Sequence, residues 1–349
     1  MKGIRAAIGK FASEPGRCPR PGARFPLASR LWGTAAFLLL MLFRGAADTS
    51  DTPSAAPNRT QFRFGFSSAT FTEVNENDAR AGMKVWAQML FKEHGLPIEP
   101  EPTVLRDCEA IDRALRGKSI DAIVLNTDEY WKLGEDLRAG PFIGGLNDGR
   151  ITEEYVLLVH RDSGFKRLED LRGRSVALLR TSRMSLASVW LDTILVQGGL
   201  PRADEFLRMT PFPKLSKAVL LVFFRQADAC LVTRRGFKTM GELNPQVSQR
   251  LQVLAASPEL VPTGFCFRRD YQGPVKDTIL AELAKIKDSP AGAQVLTLFQ
   301  SGSLEAHPIS CLDGAFELLE THRRLCGGTN SSPASISSVA LDDTKGAGK

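Results

Sequence analysis

The chain's 349 residues leave room for two domains of ~150 residues each. A composition of 43% hydrophobic and 24% charged residues excludes fibrous and repeat classes. The formal net charge is +6, but residues 1–47 hold eight Lys/Arg against the single acid Glu14, so the leader carries +7 and the rest of the chain −1. The basicity belongs to the leader, which excludes a basic nucleic-acid surface, and nucleic acid is not an expected partner.

Leu31 to Phe43 is a near-unbroken apolar run behind a basic stretch, with Gly45, Ala46 and Ala47 following. A membrane span needs ~20 such residues, so the run reads as the hydrophobic region of a signal peptide covering 1–47. Cleavage after Ala47 fits the small-x-small rule; an uncleaved anchor or a start codon placed too early are the alternatives. No Cys stands directly after the run, which leaves a lipoprotein anchor unsupported. The expected location is the periplasm. Residues 48–60, rich in Ser, Pro, Thr and Ala, form a flexible linker.

Beyond the linker, Gln61–Phe66 is the first strand and stops at Ser67-Ser68-Ala69-Thr70. Asp78–Glu93 is an amphipathic helix. An extended segment reaches Leu105, Cys108–Arg116 is helical, and Ile120–Leu125 is a strand delivering Asn126, Thr127, Asp128, Glu129 and Tyr130. Tyr155–Val159 is an apolar strand, and Leu168–Leu171 a short helix.

The segment from Arg174 to Gly199 organises the remainder. Ser175–Leu179 is a strand, Arg180–Arg183 a polar turn, and helical spacing runs from Met184 to Leu195 before Gly198-Gly199. Thr181 or Ser182 is placed to cap that helix. A strand feeding a polar turn into a helix N-terminus presents free N–H groups and the positive end of the macrodipole to an anion. Arg180 and Arg183 add charge-assisted hydrogen bonds. The plainer reading is a capped helix with both arginines in water.

Leu215–Phe224 is a helix, Ala229–Val232 a strand ending in Thr233-Arg234-Arg235, and Asn244–Arg250 is helical. Leu251–Leu254 and Thr263–Phe267 are strands; helices over Pro274–Lys287, Ala291–Phe299 and Leu312–Leu325 close the fold. Residues 327–349 are read as a disordered tail. Alternating strands and helices predict an α/β class with parallel layers. The halves echo one another: strand, hydroxyl turn and helix at Ser67-Ser68 and at Thr181-Ser182, then Asp-Ala strands at Asp121 and Asp228. Ligands of open α/β sheets bind at the carboxyl edges of the strands, so two lobes facing each other there would enclose a cleft.

The segments Asp170–Ala177, Thr181-Ser182, Ser188–Leu191, Val222–Thr233 and Gly117–Leu125 resemble the phosphonate-binding-like branch of the type II periplasmic solute-binding proteins, the receptors of ABC importers. The resemblance implies a two-lobed type II periplasmic-binding-protein architecture with the ligand cleft between the lobes. Residues 61–156 and 257–326 would form a discontinuous first lobe and 157–256 the second. It implies a small anionic solute held by Ser67, Ser68, Asn126, Thr127, Tyr130, Thr181, Ser182, Arg183, Ser185 and Thr233. It also implies a membrane-embedded ABC permease as partner and a monomeric receptor that is not an enzyme and carries no cofactor or metal.

Two departures bear on the ligand. The second-lobe turn is Thr181-Ser182-Arg183-Met184 where phosphonate binders usually have a Ser-Thr-Ser-Gly-like run. Thr233 also stands where they usually place an acid for a ligand amine, so the expected phosphonate- or phosphate-like oxyanion lacks an ammonium group. The alternatives are a sensor or signalling receptor of the same fold, and a small organic ligand stacking on Tyr130-Trp131. Those two aromatics equally fit a packed Trp131 with a solvated Tyr130.

Other chemistries find little support. Gly65–Ala69 misses the last glycine of a nucleophile elbow. The four histidines show no metalloprotease spacing, and no phosphate-binding P-loop is present. Glu153-Glu154 reads as an exposed strand start, with metal binding a lesser option. Five cysteines follow the leader without any C-x-x-C. Cys311 with Cys326 is the first disulfide to test, and burial as small hydrophobes is equally good.

Overall fold

The computed structural model describes residues 60–72 and 75–327. The leader, nearly all of the linker and residues 328–349 lie outside them. Among the described residues no helix is long and apolar enough to cross a membrane.

The first elements are β1 (Thr60–Ser67), α1 (Glu76–Glu93), β2 (Ile98–Leu105), α2 (Cys108–Arg116), β3 (Ala122–Asn126), α3 (Thr127–Lys132) and β4 (Phe142–Leu146). The chain then builds β5 (Glu153–His160), β6 (Ser175–Leu179), α4 (Ala187–Gln197), α5 (Ala203–Phe206), β7 (Arg208–Phe212), α6 (Leu215–Phe223), β8 (Ala229–Thr233), α7 (Arg234–Leu243), α8 (Pro245–Arg250) and β9 (Leu251–Leu260). It returns through β10 (Thr263–Phe267), α9 (Pro274–Glu282), α10 (Pro290–Leu298), β11 (Ser303–His307) and α11 (Asp313–Cys326).

Two sheets result, ordered β11-β4-β10-β3-β1-β2 and β7-β6-β8-β5-β9. β1, β2 and β3 are mutually parallel, as are β6, β7 and β8. The expectation of purely parallel layers is corrected at β5 and β10. Each is the first strand after the chain changes sheet, and each lies antiparallel between its neighbours. The crossings are residues 147–152 and Val261-Pro262.

Alternation along β1 puts Phe62, Phe64 and Phe66 on one face, where they pack with Trp86, Leu90 and Phe91 of α1. Each such fully buried phenyl contributes roughly 1.5–3 kcal/mol of transfer free energy. The other face of the first sheet carries Ile123 and Leu125 against Ile111 and Leu115 of α2. β8 is buried throughout because β6 and β5 flank it and helices cover it, which explains its unbroken apolar run.

The last helix does not stay with the first sheet, where residues 257–326 were expected to lie. Ala315 and Leu319 of α11 join the core around Trp190 and Leu191 of α4. Nε2 of His322 lies 3.6 Å from Asp192, and Arg323 lies over the Trp131 ring. The helix α11 thus spans both lobes.

Three strands eluded the pattern. β4 contains Gly144-Gly145, while β7 and β11 are edge strands, β7 interrupted by Pro211. The five described cysteines are free thiols. Of the two readings left open for Cys311 and Cys326, the bridge fails on geometry: Cys326 ends the 14-residue helix α11 and Cys311 precedes its start, a helix rises ~1.5 Å per residue, and a disulfide needs Cα atoms within ~7 Å.

Candidate functional site

The carboxyl ends of β6 and β8 open on a cavity of about 210 Å³ lined by Leu179, Thr181, Arg183, Thr233, Arg235 and Gln300, among others. β8 runs directly into α7, a helix to which the sequence pattern assigned no element. Thr233 is its N-cap, with Oγ1 accepting from the Gly236 N–H at 3.1 Å. The positive end of the ten-residue α7 therefore faces the cavity.

Glu153, at the head of β5, is 3% exposed and accepts hydrogen bonds from both Arg183 and Arg235, each at 3.1 Å. It is not the exposed strand start that was expected, and its neighbour Glu154 pairs with Arg234. Two guanidiniums thus meet one carboxylate beside Thr181 and Thr233. Guanidinium donors of this kind form strong charge-assisted hydrogen bonds to oxyanions.

Arg183 also reaches across to the first lobe. Its Nη2 donates to the Ser301 hydroxyl at 3.1 Å and the Gln300 carbonyl at 3.2 Å. Gln300 adopts φ +49°, a left-handed conformation that is sparsely populated for a non-glycine residue and turns this carbonyl to its partner. Gly145 of β4 lies directly beneath, where a Cβ would collide with the Ser301 hydroxyl. The Tyr155 hydroxyl donates to the Arg183 carbonyl at 3.1 Å; burial, then the Glu153 charge, drives its pKa far upward.

These contacts correct the expected anion-binding helix start. Residues 182–184 form a single 3₁₀ turn, Thr181 makes no capping hydrogen bond with its side chain, and α4 begins only at Ala187 after Leu186. The physical reason is Arg183, drawn inward to Glu153 instead of standing in water.

The first-lobe residues are mostly committed elsewhere. Ser67 is fully buried and donates to Glu129 Oε1 at 2.5 Å, while Glu129 Oε2 accepts from the Asn126 N–H at 2.9 Å. Burial raises the Glu129 pKa, and those two hydrogen bonds oppose the rise. Ser68 donates to the Arg106 carbonyl at 3.0 Å. Tyr130 is fully buried with its hydroxyl bonded to Ala139, so it neither stacks on a ligand nor lies in water. Burial and nearby Cys266 raise its pKa beyond the usual tyrosine range. Thr127 and Ser185 donate to the crossing carbonyls, Thr127 to Val261 at 2.6 Å and Ser185 to Pro262 at 2.8 Å. The Asn126 side-chain oxygen is buried without a hydrogen-bond partner among the described residues.

Thr181, Arg183 and Thr233 are thus brought together around one cavity. Ser182 lines a second cavity, where Thr70 rather than Ser68 is its first-lobe companion. Sequence reasoning gave no ligand role to Glu153, Arg235 or Gln300: Glu153 was read as an exposed strand start and Arg235 as the end of a strand, because no periodicity distinguishes a buried ion pair from a solvated one.

A family model described as the periplasmic substrate-binding protein of phosphonate ABC transporters matches residues 69–307. The chain belongs to this family. As a solute-binding component of an ABC importer it is extracytoplasmic, with a small solute and a membrane permease as the partners the family implies. No curated protein sequence matches it.

Among solved structures, the protein XAC2383 from Xanthomonas citri bound to chloride ion shares 14% identity at a TM-score of 0.55, covering 77% of this chain and 99% of that one. The same protein bound to ATP aligns with 16% identity and a TM-score of 0.54, covering 77% and 98%. A binding-protein component of a phosphonate ABC transporter from Pseudomonas aeruginosa aligns with 14% identity and a TM-score of 0.49, covering 79% and 91%. The binding protein shares with XAC2383 the two-lobed α/β fold; its Glu153–Arg183–Arg235 cluster belongs to the second lobe, and Arg183 is hydrogen-bonded from there to Gln300 and Ser301 of the first.

Proposed function

We propose that this binding protein captures a small oxyanion, phosphonate- or phosphate-like and without an ammonium group, and presents it to an ABC permease in a lobe-closed form. The observation that carries the reading is the pair Arg183 and Arg235 sharing Glu153 over a cavity that Thr181 and Thr233 enter from two strand ends. The hydroxyls orient the oxygens and the guanidiniums balance the charge. The two crossing segments act as the hinge. Export through residues 1–47 and a monomeric state complete the reading, and no chemical step is assigned to the protein.

Titration calorimetry against phosphate, phosphite, methylphosphonate and methanesulfonate, with small-angle scattering on the same samples, tests it. Binding of at least one of them, a smaller radius of gyration when bound, and loss of binding in Arg235→Ala are expected. Indifference to the whole panel overturns the oxyanion reading, as does unchanged affinity in the variant.

A further inference from the structure

The second cavity, of about 100 Å³, lies on the α1 side of the first-lobe sheet, and Ser182 and Arg183 reach it from the second lobe. Five aromatic rings wall it: Phe62 and Phe64 of β1, Trp86 of α1, Phe265 of β10 and Phe299 at the end of α10. Protein interiors rarely retain voids larger than a water molecule, so a space of this size is kept against the pull of close packing.

The polar groups at its margin are already committed. Thr70 donates to the Ser67 carbonyl at 2.7 Å, Thr263 to Leu125 at 3.0 Å and Ser301 to Phe299 at 3.1 Å. A buried water needs several polar partners, and these walls offer few. Among the described lining residues Arg183 is the one charged side chain, and it is ion-paired to Glu153 and donates to Ser301 and the Gln300 carbonyl. An ionised ligand group would be desolvated here without a counter-ion of its own, at a heavy cost. The chemistry of the lining therefore calls for an uncharged occupant.

The rings narrow the class further. Phe62 lies edge-on to Phe91 with centroids 5.8 Å apart, Phe265 edge-on to Phe267 at 5.0 Å, and Phe299 stacks on Phe66 at 6.0 Å. Those outer partners fix the wall rings in place. A ring brought between them meets aromatic faces and edges on several sides, an attraction beyond the burial of area alone. An apolar cavity of ~150 Å³ accepts benzene. Met83, unbranched and adaptable, lines this somewhat smaller one and gives way to a ring. We propose that the first lobe binds an uncharged molecule of a single aromatic ring in this cavity. This ligand class is separate from the oxyanion reading and does not rest on it.

Thermal unfolding of the full chain, with benzene, cyclohexane and benzoate titrated in parallel, tests the proposal. At tenfold excess over its Kd, benzene should raise the Tm by about 3 °C. Benzene should bind about tenfold more tightly than cyclohexane, through its added aromatic pairs, and benzoate should leave the Tm unchanged. Ala87 of α1 lines the same space, and Ala87→Leu should fill it and abolish the benzene shift. No shift with benzene overturns the proposal, as does an equal response to cyclohexane or to benzoate. An undiminished benzene shift in folded Ala87→Leu places the ligand elsewhere and overturns it too. If that variant does not fold, the three probes on the parent decide the matter alone.

Discussion

Thr127 and Ser185 converge on a single carbonyl oxygen, that of Pro262, which accepts the Thr127 N–H at 2.9 Å and the Ser185 hydroxyl at 2.8 Å. One residue belongs to the first lobe and the other to the second, and the peptide they share is a crossing between the sheets. Both were read as ligand groups. Their hydroxyls instead hold the connection about which the lobes would turn.

Ser185→Ala should cost about 1 kcal/mol, the usual net value of one hydrogen bond. Thr127→Val should cost more, about 1–3 kcal/mol, because it removes the hydroxyl partner of the Val261 carbonyl inside the core. Denaturant unfolding of the two variants measures both losses, and the order of the two is the prediction.

Arg183→Met removes one partner of a buried pair. Glu153 keeps Arg235, so the loss should fall near the lower end of the range for broken buried pairs, about 3 kcal/mol. Oxyanion binding should disappear with it. Thermal unfolding and calorimetry on the same sample check both effects.

Gly145→Ala places a Cβ against the Ser301 hydroxyl and pushes it off Arg183. A destabilisation of about 1–3 kcal/mol, typical of overpacking, is expected. Ser301→Gly in the same chain should restore most of it by removing the obstructed group. Equal stability of the single and double variants would contradict the contact.

The pKa of Glu129 is raised by burial from its ordinary value of 4.5. Its contribution to stability is therefore complete below pH 4.5 and declines as pH rises through the raised value, because the folded state holds the proton more tightly. Glu129→Gln should flatten that part of the stability profile. Ser67→Ala, which removes the hydrogen bond opposing the rise, should move the decline to higher pH. Melting temperatures measured across pH 4 to 8 separate the parent from both variants.

Local pattern was enough for much of this protein. The Phe62-Phe64-Phe66 alternation, the β6 and β8 strands, the helix over Leu215–Phe223 and the α/β class follow from apolar periods of two and 3.6. The placement of hydroxyls at strand carboxyl ends was legible too, since Thr181 and Thr233 reach one cavity. Tertiary structure alone decided which polar groups remain for a ligand. Whether Ser67 faces solute or Glu129, whether Arg183 stands in water or bridges Glu153 to Ser301, and whether Tyr130 stacks or packs all depend on partners far away in the chain. A side chain's type and spacing set what it can bond. Only the burial of both partners at one point in space determines what it does bond, and that information is not local.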